Sequence, residues 1–164
     1  MAKNYRVDIQ GDEELVRKLK AMSKGFRTKA LLHAVTQGGE IVEREAKARA
    51  PVRKSGRGRK GRLRDSITTV KLKSTSKLAK VGVSWRKGRA SRTDAFYGIM
   101  LEKGTKPRFR KKWRKKSLKK PASTGRGPQR AFLIPAFDSK REQVAREIKE
   151  QLSRLIKLEV KKGL

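Results

Sequence analysis

Two segments rich in lysine and arginine are the part of this chain best suited to chemistry, and that chemistry is contact with a polyanion. Residues Lys106–Lys120, KPRFRKKWRKKSLKK, contain ten basic residues and no acidic one, and Val52–Arg64 contains seven. Lysine and arginine displace the counterions condensed on phosphates, so such segments bind nucleic acid without reading its sequence. The candidate contacts are Lys106, Arg108, Arg110, Lys111, Lys112, Arg114, Lys115, Lys116, Arg57, Arg59 and Lys60.

Two aromatic residues, Phe109 and Trp113, interrupt the more basic segment. Aromatic side chains within a basic strip can stack on exposed bases. A tryptophan in a loop can equally pack on neighbouring protein, and the charges can face an acidic protein surface or solvent alone. The residues leave these alternatives open.

Little in the chain suits catalysis. The one histidine, His33, falls in a helical pattern with no carboxylate within four residues, so we expect it to be packed or at an interface. The absence of cysteine excludes disulfides and thiolate zinc sites. Asp65, Asp94 and Glu102 are scattered among cations that oppose metal binding. The sequence predicts a protein that is not an enzyme and has no cofactor or metal.

The positive charge is concentrated in the middle of the chain. Of 164 residues with a net charge of +32, residues 51–130 carry 28 lysines and arginines and three acidic residues. Only 35% of the residues are apolar, which allows a modest core built from the two ends. We therefore predict a single domain over 1–164 with basic loop excursions at about 52–62 and 106–130. No apolar run reaches the ~18–20 residues of a membrane span, so no membrane partner is expected.

Periodicity predicts two long helices and several short elements. A first helix follows Asp12 and ends near Gly25, and a long one runs from Phe26 to Arg49, where Pro51 stops it. A helix over Thr93–Lys103 ends at Gly104, and Pro135 suits the first turn of a last helix that runs to about Lys161. The apolar stripes of the two long helices are Leu31, Val35, Gly38, Val42 and Ala46, and Phe137, Val144, Ile148, Leu152 and Leu155.

Alternating apolar residues predict strands at Tyr5–Ile9, Ile67–Lys73 and Leu78–Trp85, the last two joined as a hairpin through Ser74–Ser76. Ala131–Ile134 is also extended in character. The predicted fold class is α+β, a small antiparallel sheet of three or four strands packed against two long helices, with two long basic loops.

Three separated motifs, GRLRDSI (Gly61–Ile67), YGIMLEKGT (Tyr97–Thr105) and RAFLIPAFD (Arg130–Asp138), resemble the neck or tail-completion family of long-tailed bacteriophages, the minor tail protein Z-like proteins. The resemblance runs from Asp12 to Leu155. The matching residues are Gly61, Leu63, Arg64, Ser66 and Ile67; Tyr97, Glu102, Gly104 and Thr105; and Phe132, Leu133, Pro135 and Ala136.

The resemblance implies a structural subunit of the virion that assembles as a ring, commonly a hexamer, where tail meets head around the DNA channel. It implies other neck and tail proteins as partners. The basic charge adds the expectation of non-specific contact with the DNA in the channel. The segment Lys106–Arg130 is longer and more basic here than in the family pattern, so the resemblance does not assign its role.

The motif residues have structural interpretations. Glu102 is expected to pair with a nearby cation such as Arg64, because an unpaired buried carboxylate is costly. Gly104 offers a helix stop at positive φ, and Pro135 presets a helix start. The composition alone also fits a second function, that of a ribosome- or nucleoid-associated nucleic-acid-binding protein, which stays open as the alternative.

Overall fold

Two long helices and a two-stranded sheet form the frame of the protein. The computed structural model describes residues 13–52, 60–85, 97–107, 109–113, 116–123 and 125–162. The elements are α1 (Glu13–Ala21), α2 (Lys24–Arg49), α3 (Arg62–Ser66), β1 (Ile67–Ser74), β2 (Ala79–Trp85), α4 (Gly98–Lys103), β3 (Phe109–Trp113), β4 (Lys116–Ser123) and α5 (Leu133–Lys162). The α+β class is confirmed. The predicted strand at Tyr5–Ile9 and residues 93–96 of the predicted short helix lie outside the described residues.

Helix α2 packs against α5 through its smallest side chains. Its buried positions are four residues apart: Ala30, Ala34, Gly38, Val42 and Ala46. A Cβ atom on Gly38 would lie 3.0 Å from Cγ1 of Ile148, so the missing side chain permits the close approach of α5. Of the predicted stripe, Gly38, Val42 and Ala46 are buried, and Leu31 is half-buried and packs against the same cluster. Val35 is only half-buried, because the neighbouring Ala34 takes the buried position.

The hairpin β1–β2 packs on another face of α2. The two strands pair antiparallel from Ile67 opposite Trp85 to Ser74 opposite Ala79, which confirms the predicted hairpin. A Cβ atom on Gly39 would lie 2.9 Å from Cγ2 of Thr69, so this glycine allows the sheet to approach α2 closely. Gly38 does the same for α5. Two adjacent glycines therefore place α2 between α5 and the sheet.

Ser23, and not Gly25, marks the boundary between the first two helices. The Ser23 hydroxyl accepts a hydrogen bond from the backbone N–H of Phe26 at 3.2 Å, which caps α2. Gly25 consequently lies inside α2, and the prediction that it ends the first helix was wrong.

The basic segment 106–130 was predicted as a loop, and this is wrong for the residues that form β3 and β4. These strands make a second, separate two-stranded antiparallel sheet, so the described part of the chain holds two small sheets instead of one with three or four strands. A dense run of positive charge opposes packing into a core, but it does not prevent backbone pairing. A two-stranded antiparallel ribbon satisfies its backbone hydrogen bonds without packing into a core.

Glu43 connects α2 to β1 through a charged hydrogen-bond network. Its Oε2 accepts from the backbone N–H and the hydroxyl of Thr69, both at 2.7 Å, and its Oε1 is 2.6 Å from Nζ of Lys47. Burial raises the pKa of Glu43, but the hydrogen bonds from Lys47 and Thr69 lower it by more, so the pKa lies below its ordinary value of 4.5. The folded state thus favours the ionised carboxylate.

We expect Glu43→Gln to lower the free energy of unfolding at pH 7 by about 2 kcal/mol, since it weakens hydrogen bonds to a charged group. A depressed folded-state pKa stabilises the fold above the unfolded-state value, and this contribution is lost as pH falls through the folded-state pKa. Urea unfolding at several pH values should therefore show the difference between wild type and variant shrinking below about pH 4.5.

Glu14→Gln is the matched control, because Glu14 pairs with Lys18 at the same helical spacing but on an exposed surface. It should change stability little at any pH. A Glu43→Gln protein as stable as wild type at pH 7 would contradict the role given to this network.

Candidate functional site

The three sequence motifs meet in one buried cluster, here called the junction cluster. Leu63 comes from the first motif, and Phe132 and Ala136 come from the third. Tyr97 and Leu101 of the second motif pack against it. The buried members are Ala46, Ala50, Leu63, Ile67, Phe132 and Ala136, with Val83, Trp85, Tyr97, Leu101 and Leu133 partly buried around them.

Close contacts inside the junction cluster depend on Gly98, at the start of α4. A Cβ atom on this glycine would lie 2.7 Å from the indole of Trp85 and 3.0 Å from Cδ1 of Leu63. The ring centroids of Trp85 and Phe132 are 5.9 Å apart with an interplanar angle of 51°. The cluster therefore fixes α4 against the end of β2 and the start of α5.

Glu102, on α4, caps the N-terminus of α5. Its carboxylate accepts hydrogen bonds from three consecutive backbone N–H groups, those of Phe132 at 2.9 Å, Leu133 at 3.1 Å and Ile134 at 3.0 Å. Pro135, the third residue of α5, has no N–H, and the N–H of Ala136 makes a helical bond to the Phe132 carbonyl at 3.2 Å. The otherwise unpaired amides of this helix start are thereby satisfied, and a negative charge lies where the helix dipole favours it.

The predicted pairing of Glu102 with Arg64 is wrong. Arg64 Nε lies 3.1 Å from Oδ1 of its neighbour Asp65, at the surface. Glu102 is only 6% exposed, and backbone amides supply the hydrogen bonds that its burial requires. Sequence reasoning missed this role because the capped amides lie 30 to 32 residues further along the chain.

The hairpin formed by β3 and β4, here called the basic hairpin, is tied at its base by hydrogen bonds close in sequence to Glu102. These bonds are here called the clamp. The backbone N–H of Thr105 donates to the carbonyl of Gly127 at 3.1 Å, and the N–H of Gly127 donates to the Thr105 hydroxyl at 2.9 Å. The N–H of Arg130 donates to the Leu101 carbonyl at 2.8 Å. Both ends of the excursion are thus bonded together and to α4.

Gly104 turns the chain out of α4 into the clamp. Its φ of 72° and ψ of −178° lie in a region that is essentially restricted to glycine. A Cβ atom there would also lie 3.0 Å from the Gly127 carbonyl oxygen and 3.2 Å from the Gln129 nitrogen. The prediction of a positive-φ helix stop at Gly104 is confirmed, with a second steric reason added.

The first motif is ordered around a short helix. Gly61 has a φ of 76° before α3, and its carbonyl accepts from the N–H of Asp65 at 2.9 Å. The hydroxyl of Ser66 donates to the Leu63 carbonyl at 2.7 Å. These bonds turn the chain so that Leu63 and Ile67 both enter the junction cluster.

Of the candidate polyanion contacts that the structure describes, all except Lys60 lie on the hairpin formed by β3 and β4 or just before it. Its register pairs Phe109 with Ser123 and Trp113 with Lys116. Lys106 is exposed just before β3, and Lys60 is exposed before α3. Arg110, Lys111 and Lys112 lie on β3, Lys116 begins β4, and Arg57, Arg59, Arg108, Arg114 and Lys115 lie outside the described residues.

Other groups considered for chemistry do not assemble into a site. The side chain of Phe109 is 66% exposed. His33, which we expected to be packed or at an interface, is exposed on α2. Among the described residues, no group of three histidine, cysteine or acidic side chains could hold a metal ion. None of the described helices has both the length and the apolar character needed to cross a membrane.

Comparison with known proteins gives one family. The model of the family described as "Bacteriophage HK97-gp10, putative tail-component" matches residues 13–104, which include the first motif, all of the second motif except Thr105, and Glu102. No curated protein and no solved structure matches the chain.

We expect Glu102→Ala to destabilise the protein by about 3 kcal/mol or more, because it leaves three N–H groups without their acceptor. Glu102→Gln should cost less, about 1.5–3 kcal/mol, since the amide oxygen still accepts but carries no charge. Amide hydrogen exchange should show Phe132, Leu133 and Ile134 losing protection first. Glu142→Gln, an exposed change on α5, the helix that Glu102 caps, is the control; equal effects at the two positions would contradict the capping role.

Gly104 and Gly125 form a matched pair, since both have positive φ but a Cβ atom on Gly125 would meet nothing within 4 Å. Gly125→Ala should cost about 1–2 kcal/mol, the usual penalty for a left-handed backbone. Gly104→Ala should cost clearly more, because the added carbon also meets backbone across the clamp. Thermal unfolding of both variants makes the comparison, and similar losses would show that the clamp is not tightly closed.

Proposed function

The chain belongs to the HK97 gp10-like family of bacteriophage tail components, and from this premise we propose that it is a neck or tail-completion protein that joins tail to head. In this proposal, copies of the chain form a ring, with six subunits the expected number, at the top of the tail around the DNA channel. The basic segments contact the DNA or acidic surfaces of adjoining subunits. The protein would be assembled in the host and retained in the virion.

The observation that carries the proposal is the clamped base of a polycationic hairpin. Hydrogen bonds of Thr105 and Arg130 tie both ends of the excursion to the body of the protein, next to the Glu102 cap. These bonds hold the base of the hairpin β3–β4 in place on the body of the protein. A hairpin held at its base suits a component that presents positive charge to one place in an assembly, because less freedom is lost on binding.

Electrostatics explains why such a protein needs its partners. Each copy carries a net charge of +32, so copies brought together in a ring repel each other. Double-stranded DNA carries one negative charge per ~1.7 Å of its axis and can offset this repulsion. Acidic surfaces on adjoining neck proteins can do the same. No reading of DNA sequence is required in either case.

The alternative, a ribosome- or nucleoid-associated protein, is favoured by composition alone. Family membership favours the structural role in a phage tail over that alternative. It also favours a structural component over an enzyme.

We expect the hairpin to supply the salt-dependent part of non-specific DNA binding. Replacing four hairpin lysines by glutamine should reduce the slope of log K against log salt by roughly 3 to 4, if each lysine neutralises one phosphate. Binding of a random-sequence duplex is measured between low and moderate salt. The replaced residues are Lys111, Lys112, Lys115 and Lys116.

The control removes the same number of exposed charges from α5 and should alter the slope much less. Its replaced residues are Arg141, Lys157, Lys161 and Lys162. If wild type and the hairpin variant have equal slopes of log K against log salt, the hairpin does not contact the DNA. Light scattering on complexes with tail and connector subunits tests the ring separately, and a chain that never enters a ring would contradict it.

A further inference from the structure

The outer face of the hairpin β1–β2 is apolar and exposed. One face of this sheet is covered by α2, and an antiparallel sheet usually turns polar side chains to solvent on its other face. Here Val70 and Leu72 are exposed at 41% and 67%, and Leu78, just before β2, at 41%. These three residues and Gly82 define what is here called the outer patch.

A β-bulge presents the most exposed member of the outer patch. Lys71 pairs with Val81 and Lys73 with Lys80, so Leu72 is the extra residue of β1 without a partner across the strand. Cδ1 of Leu72 lies 3.2 Å from the place where a Cβ atom on Gly82 would be. Because bulges redirect side chains, the backbone itself holds Leu72 in its exposed position over this glycine.

Three lysines accompany the outer patch. Lys73, Lys77 and Lys80 are all exposed, and the sequence Ile67–Trp85 contains no acidic residue. None of the three has an ion-pair partner among the residues that the structure describes. Lys73 and Lys80 are directly opposite each other, an arrangement of like charges that destabilises a hairpin.

We propose that the outer patch docks an acidic segment with apolar side chains from a different protein of the phage tail. The apolar centre of such a segment would cover Leu72 and Val70, and its carboxylates would relieve the repulsion between Lys73 and Lys80. The same patch on a second copy would bring three more lysines against these three. DNA would meet the lysines but offers no matching apolar surface.

This inference rests on membership in the tail-component family and not on ring formation or DNA contact. Its test therefore reads contacts between proteins in assembled tails. If the chain forms no ring, or if the hairpin β3–β4 does not touch DNA, the outcome of this test is unaffected.

The first arm places a photo-crosslinking residue in the outer patch. Phage lacking the gene is complemented with Leu72→p-benzoylphenylalanine or with the control Leu158→p-benzoylphenylalanine, which alters a residue on α5 exposed at 49%. Crosslinked peptides from irradiated tails are identified by mass spectrometry. We expect position 72 to crosslink to an acidic segment of another tail protein, about tenfold more than position 158. Crosslinks from position 72 only to a second copy, only to DNA, or to nothing overturn the proposal.

The second arm separates assembly from stability. Lys73→Glu removes the repulsion with Lys80, so the purified variant should unfold at the same temperature as wild type or higher. The yield of assembled tails should nevertheless fall about tenfold, because a carboxylate then faces an acidic partner. Lys73→Arg should assemble normally, and so should Lys161→Glu at the end of α5. Normal assembly of Lys73→Glu, or a lower unfolding temperature, contradicts the proposal.

Discussion

The buried carboxylate of Glu102 is the interaction on which the described structure most depends. It accepts hydrogen bonds from the last three N–H groups before Pro135, so α5 can begin inside the protein without leaving its amides unpaired. The position of that helix start sets which side chains of α5 meet α2, where Ile148 packs over Gly38. The same short helix that carries Glu102 also holds the clamp at Thr105. One acidic residue thus links the core to the base of the basic hairpin.

The division of charge follows from this arrangement. The junction cluster and the contact of α2 with α5 use small and apolar residues, and Glu14, Glu43 and Glu45 each pair with a lysine or arginine four residues later in the same helix. The strands β3 and β4, which carry many of the lysines and arginines, come after the clamp residue Thr105 in the chain. A chain with a net charge of +32 can therefore fold around a modest core, while much of its unbalanced charge is left for partners in the tail.

Local signals predicted most of the fold. Pro51 follows the end of α2, Gly104 ends α4, and Pro135 lies in the first turn of α5, because each acts through its own backbone geometry. Contacts between distant segments were not predictable in this way: nothing near Glu102 indicates that it caps a helix some 30 residues later, and nothing near Gly98 indicates the indole of Trp85 against it. The hairpin in segment 106–130 was also missed, since composition predicts solvation and says nothing about backbone pairing. The three sequence motifs pointed to a phage tail protein. The fold shows why they occur together, because all three contribute to the junction cluster.

The central claim is that a fixed polycationic hairpin is presented to a negative partner where the tail is completed. The most direct measurement is a cryo-electron microscopy reconstruction of the head–tail joint of the phage that encodes this chain. We expect a ring of this chain in which β3 and β4 lie within about 10 Å, one Debye length, of the DNA or of acidic side chains on an adjoining protein. A map in which the chain forms no ring, or in which these strands face only solvent, would contradict it.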